Sequence, residues 1–208
     1  METKTYDRQS GEFLAKIAEC MPDVPAYIMQ GWIENPTGLK KVLVEALLPP
    51  QKFEIWKTVR VGGFQNAEAI RKATKKVEMN IGNYADDILG KIPLAADETD
   101  INVVLMSVAD IGFKDGAEYE KICSRAKELG LELCPAEIGP QLRLQYKDQP
   151  NGEWIVVAME PIADSDGGLG LFSVARGVDD LWLSSCYGDS DDFWGSNYRF
   201  AFVLPQVK

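Results

Sequence analysis

The 208-residue chain contains no histidine. That absence removes Ser-His-Asp and Cys-His nucleophilic catalysis, histidine-ligated zinc or iron, and the usual proton shuttle near neutral pH. Any chemistry must run on carboxylates, Lys, Tyr, Cys or a metal held by oxygen ligands. Cysteine is scarce: Cys20, Cys123, Cys134 and Cys186 are scattered without a C-x-x-C pair, which excludes a zinc knuckle and a thioredoxin-like motif. Their irregular spacing predicts four reduced thiols. No apolar run approaches the roughly 20 residues that a membrane helix needs. Residues 1–11 carry charges of both signs and no apolar stretch, so the expectation is no secretory signal, no membrane and a cytoplasmic address. Basic residues are the minority, 22 Lys and Arg against 32 Asp and Glu for a net charge of −10. A surface of that sign repels phosphate backbones, so nucleic acid is not an expected ligand.

The remaining composition, 46% hydrophobic and 26% charged, is that of a chain able to bury a real core. Phe13, Leu14, Ile17 and Met21 predict a helix over 9–20 that Pro22 stops. A short helix is expected over 25–33, and Leu39, Val42, Leu43, Ala46 and Leu47 form the stripe of a third that ends at Pro49-Pro50. Phe53, Ile55, Val59 and Val61 suit a strand over 52–61. Gly62-Gly63 and Asn66 then lead into a helix rich in Ala and Lys, and another is expected over 83–89. Residues 101–108 are the continuous apolar run of a strand buried on both faces, followed by an amphipathic helix over 117–129. Beyond Leu131 short strands alternate with turn clusters, predicting strands at 141–146, 154–160, 169–175, 181–187 and 198–204. The expected class is α+β: a helical N-terminal part with a short α/β layer over about 1–130, then a C-terminal antiparallel β-meander over 131–208, in one compact domain.

The text LGLELCPAEIGPQLRLQY at Leu129–Tyr146 continues through KDQPNGEWIVVAMEPIADSDGG. It resembles a group of uncharacterised bacterial proteins marked by a similar LCPAE-x-GPQLRLQY block and a Trp-containing tail. The resemblance covers residues 129–204. It implies a bacterial or phage source and no particular activity.

Within that block, alternation in a strand puts Leu142, Leu144 and Tyr146 on one face and Gln141, Arg143 and Gln145 on the other. Glu137, Gln141, Arg143 and Gln145 are therefore the candidate ligand-binding residues, with Arg143 suited to a bidentate grip on a carboxylate or phosphate. A solvated outer face of a half-exposed strand is the plainer reading. Cys134 as a nucleophile would need activation by a lysine or a helix N-terminus, and a packed thiol is the simpler alternative. Gly62-Gly63 before a helix is a weak anion-binding pattern that a tight turn explains equally well.

Acidity concentrates late. Between Glu160 and Trp194 eight acids face one base, Arg176. In a meander the turns carrying Asp164, Asp166, Asp189 and Asp191 fall at one end of the sheet, where they could converge on Ca²⁺ or Mg²⁺, although neither turn completes a calcium-binding loop. If the protein is an enzyme, Glu137 and Glu160, or Asp164, are the candidate acid and base, with Trp154, Trp182 and Trp194 as a sugar platform. The leading expectation is a non-catalytic protein without an obligatory cofactor that binds a protein partner or a small polar ligand on the meander. The alternative is a histidine-free hydrolase using a carboxylate pair, with or without a divalent cation.

Overall fold

The computed structural model describes residues 8–47 and 52–205, so the expected stop at Pro49-Pro50 lies outside the described residues. The chain divides into two compact units, Met1–Lys52 and Phe53–Lys208.

In the first unit, α1 (Arg8–Cys20), α2 (Ala26–Glu34) and α3 (Pro36–Leu47) lie close to the expected helices. Asn35 separates α2 from α3 and serves both. Its N–H donates to the carbonyls of Gly31 and Trp32, and its side-chain oxygen accepts from Gly38 N at 2.9 Å. Pro36 follows as the first residue of α3, where a missing N–H costs nothing. The two helices pack on each other.

The second unit is a sheet with helices, and the α+β class is as expected. Its elements are β1 (Lys57–Val61), α4 (Ala67–Lys76), β2 (Asn80–Ile81), α5 (Asn83–Leu89), β3 (Thr99–Ser107), β4 (Ala117–Glu118), α6 (Tyr119–Glu128), α7 (Ile138–Gln145), β5 (Trp154–Val157), β6 (Ile162–Ala163), β7 (Leu169–Arg176), β8 (Leu181–Tyr187), β9 (Phe193–Trp194) and β10 (Arg199–Val203). Asn66 caps α4 by accepting from Ala69 N at 2.9 Å, as its position before the helix implies. The main sheet runs β1-β3-β10-β5-β7-β8-β2, with β6 paired to β7, while β4 and β9 form a separate two-stranded pair. Phe200, Ala201 and Phe202 of β10 are all buried, the signature of a central strand covered on both faces.

Two expectations are corrected. The C-terminal strands β5, β7 and β8 pair antiparallel as a meander would, but β10 does not continue it. It crosses over to lie parallel to β5 and antiparallel to β3. Two buried faces make β10 a central strand, so it joins the antiparallel pair β1-β3 to the rest, and no structural boundary falls near residue 131. The second correction concerns 141–146, which is not a strand: the segment belongs to α7. Pro135 and Ala136 accept the first turn's N–H groups from Ile138 and Gly139. Pro140 sits within that turn, where prolines are tolerated. The helix reads as a strand because it is buried nearly all round, with Ile138 through Arg143 all inaccessible, and so shows no amphipathic period.

α7 touches β1, β7 and β8, which are four and five places apart in the strand order. The sheet therefore curls around this helix. Gly139 allows the close seat, because a Cβ there would lie 2.6 Å from the Phe172 Cβ and ring. Gly139→Ala should destabilise by about 1–3 kcal/mol through overpacking. Urea unfolding checks this, and an unchanged midpoint would show that α7 is not seated against β7.

Candidate functional site

Two polar systems project from α7. The first is a row at four-residue spacing, Glu137, Gln141 and Gln145, on one side of the helix. Glu137 is 1% exposed. One carboxylate oxygen accepts from Gly62 N at 2.8 Å and Gln141 Nε2 at 2.9 Å, the other from Ala95 N at 2.7 Å. Gly62 holds φ +82°, and a Cβ there would meet the Asp97 carbonyl oxygen at 2.1 Å, so only glycine brings this N–H to the carboxylate. The Gly62-Gly63 pattern thus does present an N–H to an anion, and that anion is the protein's own Glu137. Gln145 Oε1 accepts from Arg60 N at 3.0 Å while its Nε2 donates to Arg60 O at 2.8 Å. The side-chain amide pairs with the β1 backbone as another strand would.

The second system is Arg143, fully buried, which corrects the expected exposed position. Nη1 donates to Gln149 Oε1 at 2.5 Å and to Ala175 O at 3.2 Å, and Nη2 donates to Tyr146 O. All of these acceptors are neutral, and Nε has no partner. Burial pushes the guanidinium down to about 10, with nearby Tyr146 and Glu153 pulling upward and Arg176 downward. Gln149, also buried, donates to the carbonyls of Glu153 and Val174. Arg143 ties the end of α7 to the following loop and to β7, and presents no donor to solvent.

Beside the first system lies an open cleft of about 500 Å³ lined by Thr58, Arg60, Gly63, Phe64, Asp100, Gln141 and Gln145. Arg60 and Asp100 face each other across β1 and β3 with Nε–Oδ1 2.8 Å and Nη2–Oδ2 3.2 Å. The guanidinium holds the Asp100 carboxyl below the usual carboxylate range. β1 is an edge strand, and the direction of its free backbone groups follows from its neighbour. Asn102 O accepts from Leu204 N, toward β10, while Val103 O accepts from Trp56 N, toward β1. Even-numbered β3 residues therefore point to β10, and their partners Thr58 and Arg60 direct their own N–H and C=O outward. Gln145 takes the pair at Arg60; the pair at Thr58 points outward from the same edge, and Thr58 is one of the residues lining the cleft.

The structure brings Glu137, Gln141 and Gln145 together and sends Arg143 elsewhere. Sequence reasoning missed Thr58, Arg60, Phe64 and Asp100. The alternation of Thr58 and Arg60 with Val59 and Val61 was the available signal for an open face. The acidic turns do lie at one end of the β7-β8 ladder, where Gly188 N donates to Leu169 O. Asp164 Oδ1 accepts from Asp166 N and Gly168 N, Asp166 accepts from the Tyr84 hydroxyl at 3.4 Å, and Asp189 N donates to Asp192. Asp189 and Asp191 are exposed. Among the described residues no group of three or more Cys, Asp or Glu is placed to hold a metal ion, so the structure does not gather Asp164, Asp166, Asp189 and Asp191 into a ligand set. Glu160 is exposed. Trp194 is buried edge-on against Phe200 and Tyr198, each with centroids 5.1 Å away, and Trp154 tilts against it by 43°. For Trp194 that is core packing, while Trp182 on β8 and Trp154 on β5 stand on either side of Ala175 of β7.

All four cysteines are free thiols. Cys134 is fully enclosed, donates to Ala201 O at 3.3 Å, and has its thiol pushed far up by burial. No protein-family model, curated protein sequence or solved structure matches the chain.

Glu137→Ala strips an acceptor from two backbone N–H groups and one amide and should cost about 3–5 kcal/mol, whereas exposed Arg60→Ala should leave the urea midpoint nearly unchanged. Equal effects of the two would mean that the Glu137 knot is not structural. Thiol reactivity gives a second check. Burial pushes Cys123 up to about 11 and Cys186 up to about 12, and a raised thiol pKa leaves little thiolate at pH 8. Native protein at pH 8 should therefore titrate as one fast thiol, exposed Cys20, and as four after unfolding in guanidinium.

Proposed function

We propose that the unit Phe53–Lys208 is a non-catalytic binding module that takes a short extended, amide-bearing peptide segment along the outer edge of β1. The observation that carries this reading is the contrast between two adjacent outward backbone pairs. The N–H and C=O of Arg60 are read by the side-chain amide of Gln145, and the equivalent pair of Thr58 is directed outward by the β1-β3 register at a residue that lines the cleft. A ligand peptide group does at Thr58 what Gln145 does at Arg60, a short case of β-strand addition. Gln145 blocks the edge beyond Arg60, which keeps the ligand short. Phe64 offers an apolar wall, and Arg60 with Asp100 a polar rim of both signs.

An open cleft suits binding better than water-excluding catalysis. Against the hydrolase reading stands the enclosure of Glu137, whose three contacts are all N–H donors. Net charge −10 argues against nucleic acid as the partner. Among the described residues no helix is long and apolar enough to cross a membrane. Four free thiols support a reducing, cytoplasmic setting, and the bacterial or phage source implied by the LCPAE-x-GPQLRLQY block agrees with it.

The test is a titration of labelled protein with pooled capped tetrapeptides, followed by backbone amide resonances. Shifts should centre on Thr58, Gly63 and Phe64. Thr58→Pro deletes the outward donor and leaves the β1-β3 backbone ladder in place, a change edge strands tolerate, at the loss of the Thr58 hydroxyl's bond to Asn102 Oδ1, and should weaken binding about tenfold or more. Shifts confined to another surface, or undiminished binding by Thr58→Pro, would overturn the proposal.

A further inference from the structure

The unit that holds α1 to α3 makes up about a fifth of the described chain, yet it carries ten of the eighteen exposed large hydrophobic side chains among the described residues. Tyr27 is 77% and Ile33 69% exposed. Among the side chains described in this unit none is buried. Three helices with no buried side chain among those described lack the packed faces from which helices of this length draw most of their stability.

α2 shows the problem most clearly. Its polar side chains Gln30 and Glu34 are hydrogen-bonded to each other at 2.8 Å on one narrow stripe. Placed at 100° per residue, Tyr27, Ile28, Met29, Trp32 and Ile33 cover well over half the circumference. A helix of that kind is a buried helix. Packing against α3 covers one side of it.

We infer that this unit is the self-association surface of the protein, and that the apolar face of α1 to α3 is covered by the same face of a second copy. Two features select that occupant. The exposed apolar side chains amount to on the order of 1,000 Å², about what each partner contributes to a stable dimer interface. Charge is the other: residues 1–52 hold seven acids and six bases, net −1, against −9 for residues 53–208. Two copies meet through the near-neutral helices with little repulsion, whereas contact through the acidic unit sets like charges together. A membrane-surface helix would instead carry a Lys/Arg-rich polar face, and α2 carries no basic residue. Isologous pairing is also the commonest symmetry among soluble oligomers.

The full chain, 23.1 kDa, should behave in light scattering after gel filtration as a particle of twice that mass at micromolar concentration. Tyr27→Asp/Ile33→Lys places each charge at the helix end whose dipole favours it, so α2 survives while the face is spoiled. This variant should run as a monomer with unchanged far-ultraviolet circular dichroism. Val178→Asp/Tyr187→Asp, at exposed positions of the acidic unit, should remain dimeric. A concentration-dependent red shift of tryptophan emission on dilution, abolished by Trp32→Phe, would report the same interface without perturbing it. A wild-type monomer at 100 µM, dissociation by the Val178/Tyr187 variant instead, or monomeric protein that floats with phosphatidylserine vesicles would each overturn the inference.

Discussion

The unit Phe53–Lys208 depends on enclosing a helix that is not wholly apolar. α7 carries Glu137, Gln141 and Arg143 into the interior, and each buried polar group must find a partner or cost several kcal/mol. The surrounding chain is shaped by that demand. The loop after β1 turns at Gly62 so that its N–H meets Glu137, residues 94–95 approach for the same reason, and Gln149 folds inward to accept from Arg143. Helix, edge strand and the loops at Gly62, Ala95 and Gln149 are cross-linked by these hydrogen bonds. A buried cation with neutral acceptors and an unpartnered Nε is a costly element by itself, and its bonds tie α7 to the loop at Gln149 and to Ala175 of β7.

The same constraint creates the candidate site. The polar row of α7 emerges from the core beside the sheet edge, and the last member of the row, Gln145, pairs with backbone that an added strand would otherwise use. One residue pair earlier the edge is open. Edge strands invite pairing and proteins usually blunt them; here the helix blunts β1 at Arg60 and leaves it available at Thr58. The Arg60–Asp100 pair on the rim is exposed and contributes little to stability.

Charge is divided along the chain in the same spirit. The sheet unit carries nearly all the net negative charge, much of it in turns such as Asp164–Gly168, where the carboxylates are occupied in capping their own loops. The helical unit carries almost none and displays apolar side chains instead. A chain built in this way keeps one part well solvated and leaves the other to be covered by association.

Much of the framework was legible in the sequence, including α4 with its Asn66 cap, α5, the strands β7 and β8, and the restriction of chemistry that follows from lacking histidine. These features are local: a cap, a period or a missing residue type acts within a few positions of itself. Of the residues that the sequence singled out, Gln141 and Gln145 border the cleft, while Glu137 is enclosed behind them. The sequence did not reveal that the block is helical, that Arg143 is enclosed, that β10 returns to the middle of the sheet, or that Thr58 and Arg60 form the opposite wall. Hydrophobic periodicity records a boundary between protein and water, and α7, surrounded by protein, has hardly any such boundary to record. Sheet order is likewise decided by which strands can be buried on both faces once the whole chain is assembled, a property that no single strand carries in its own residues.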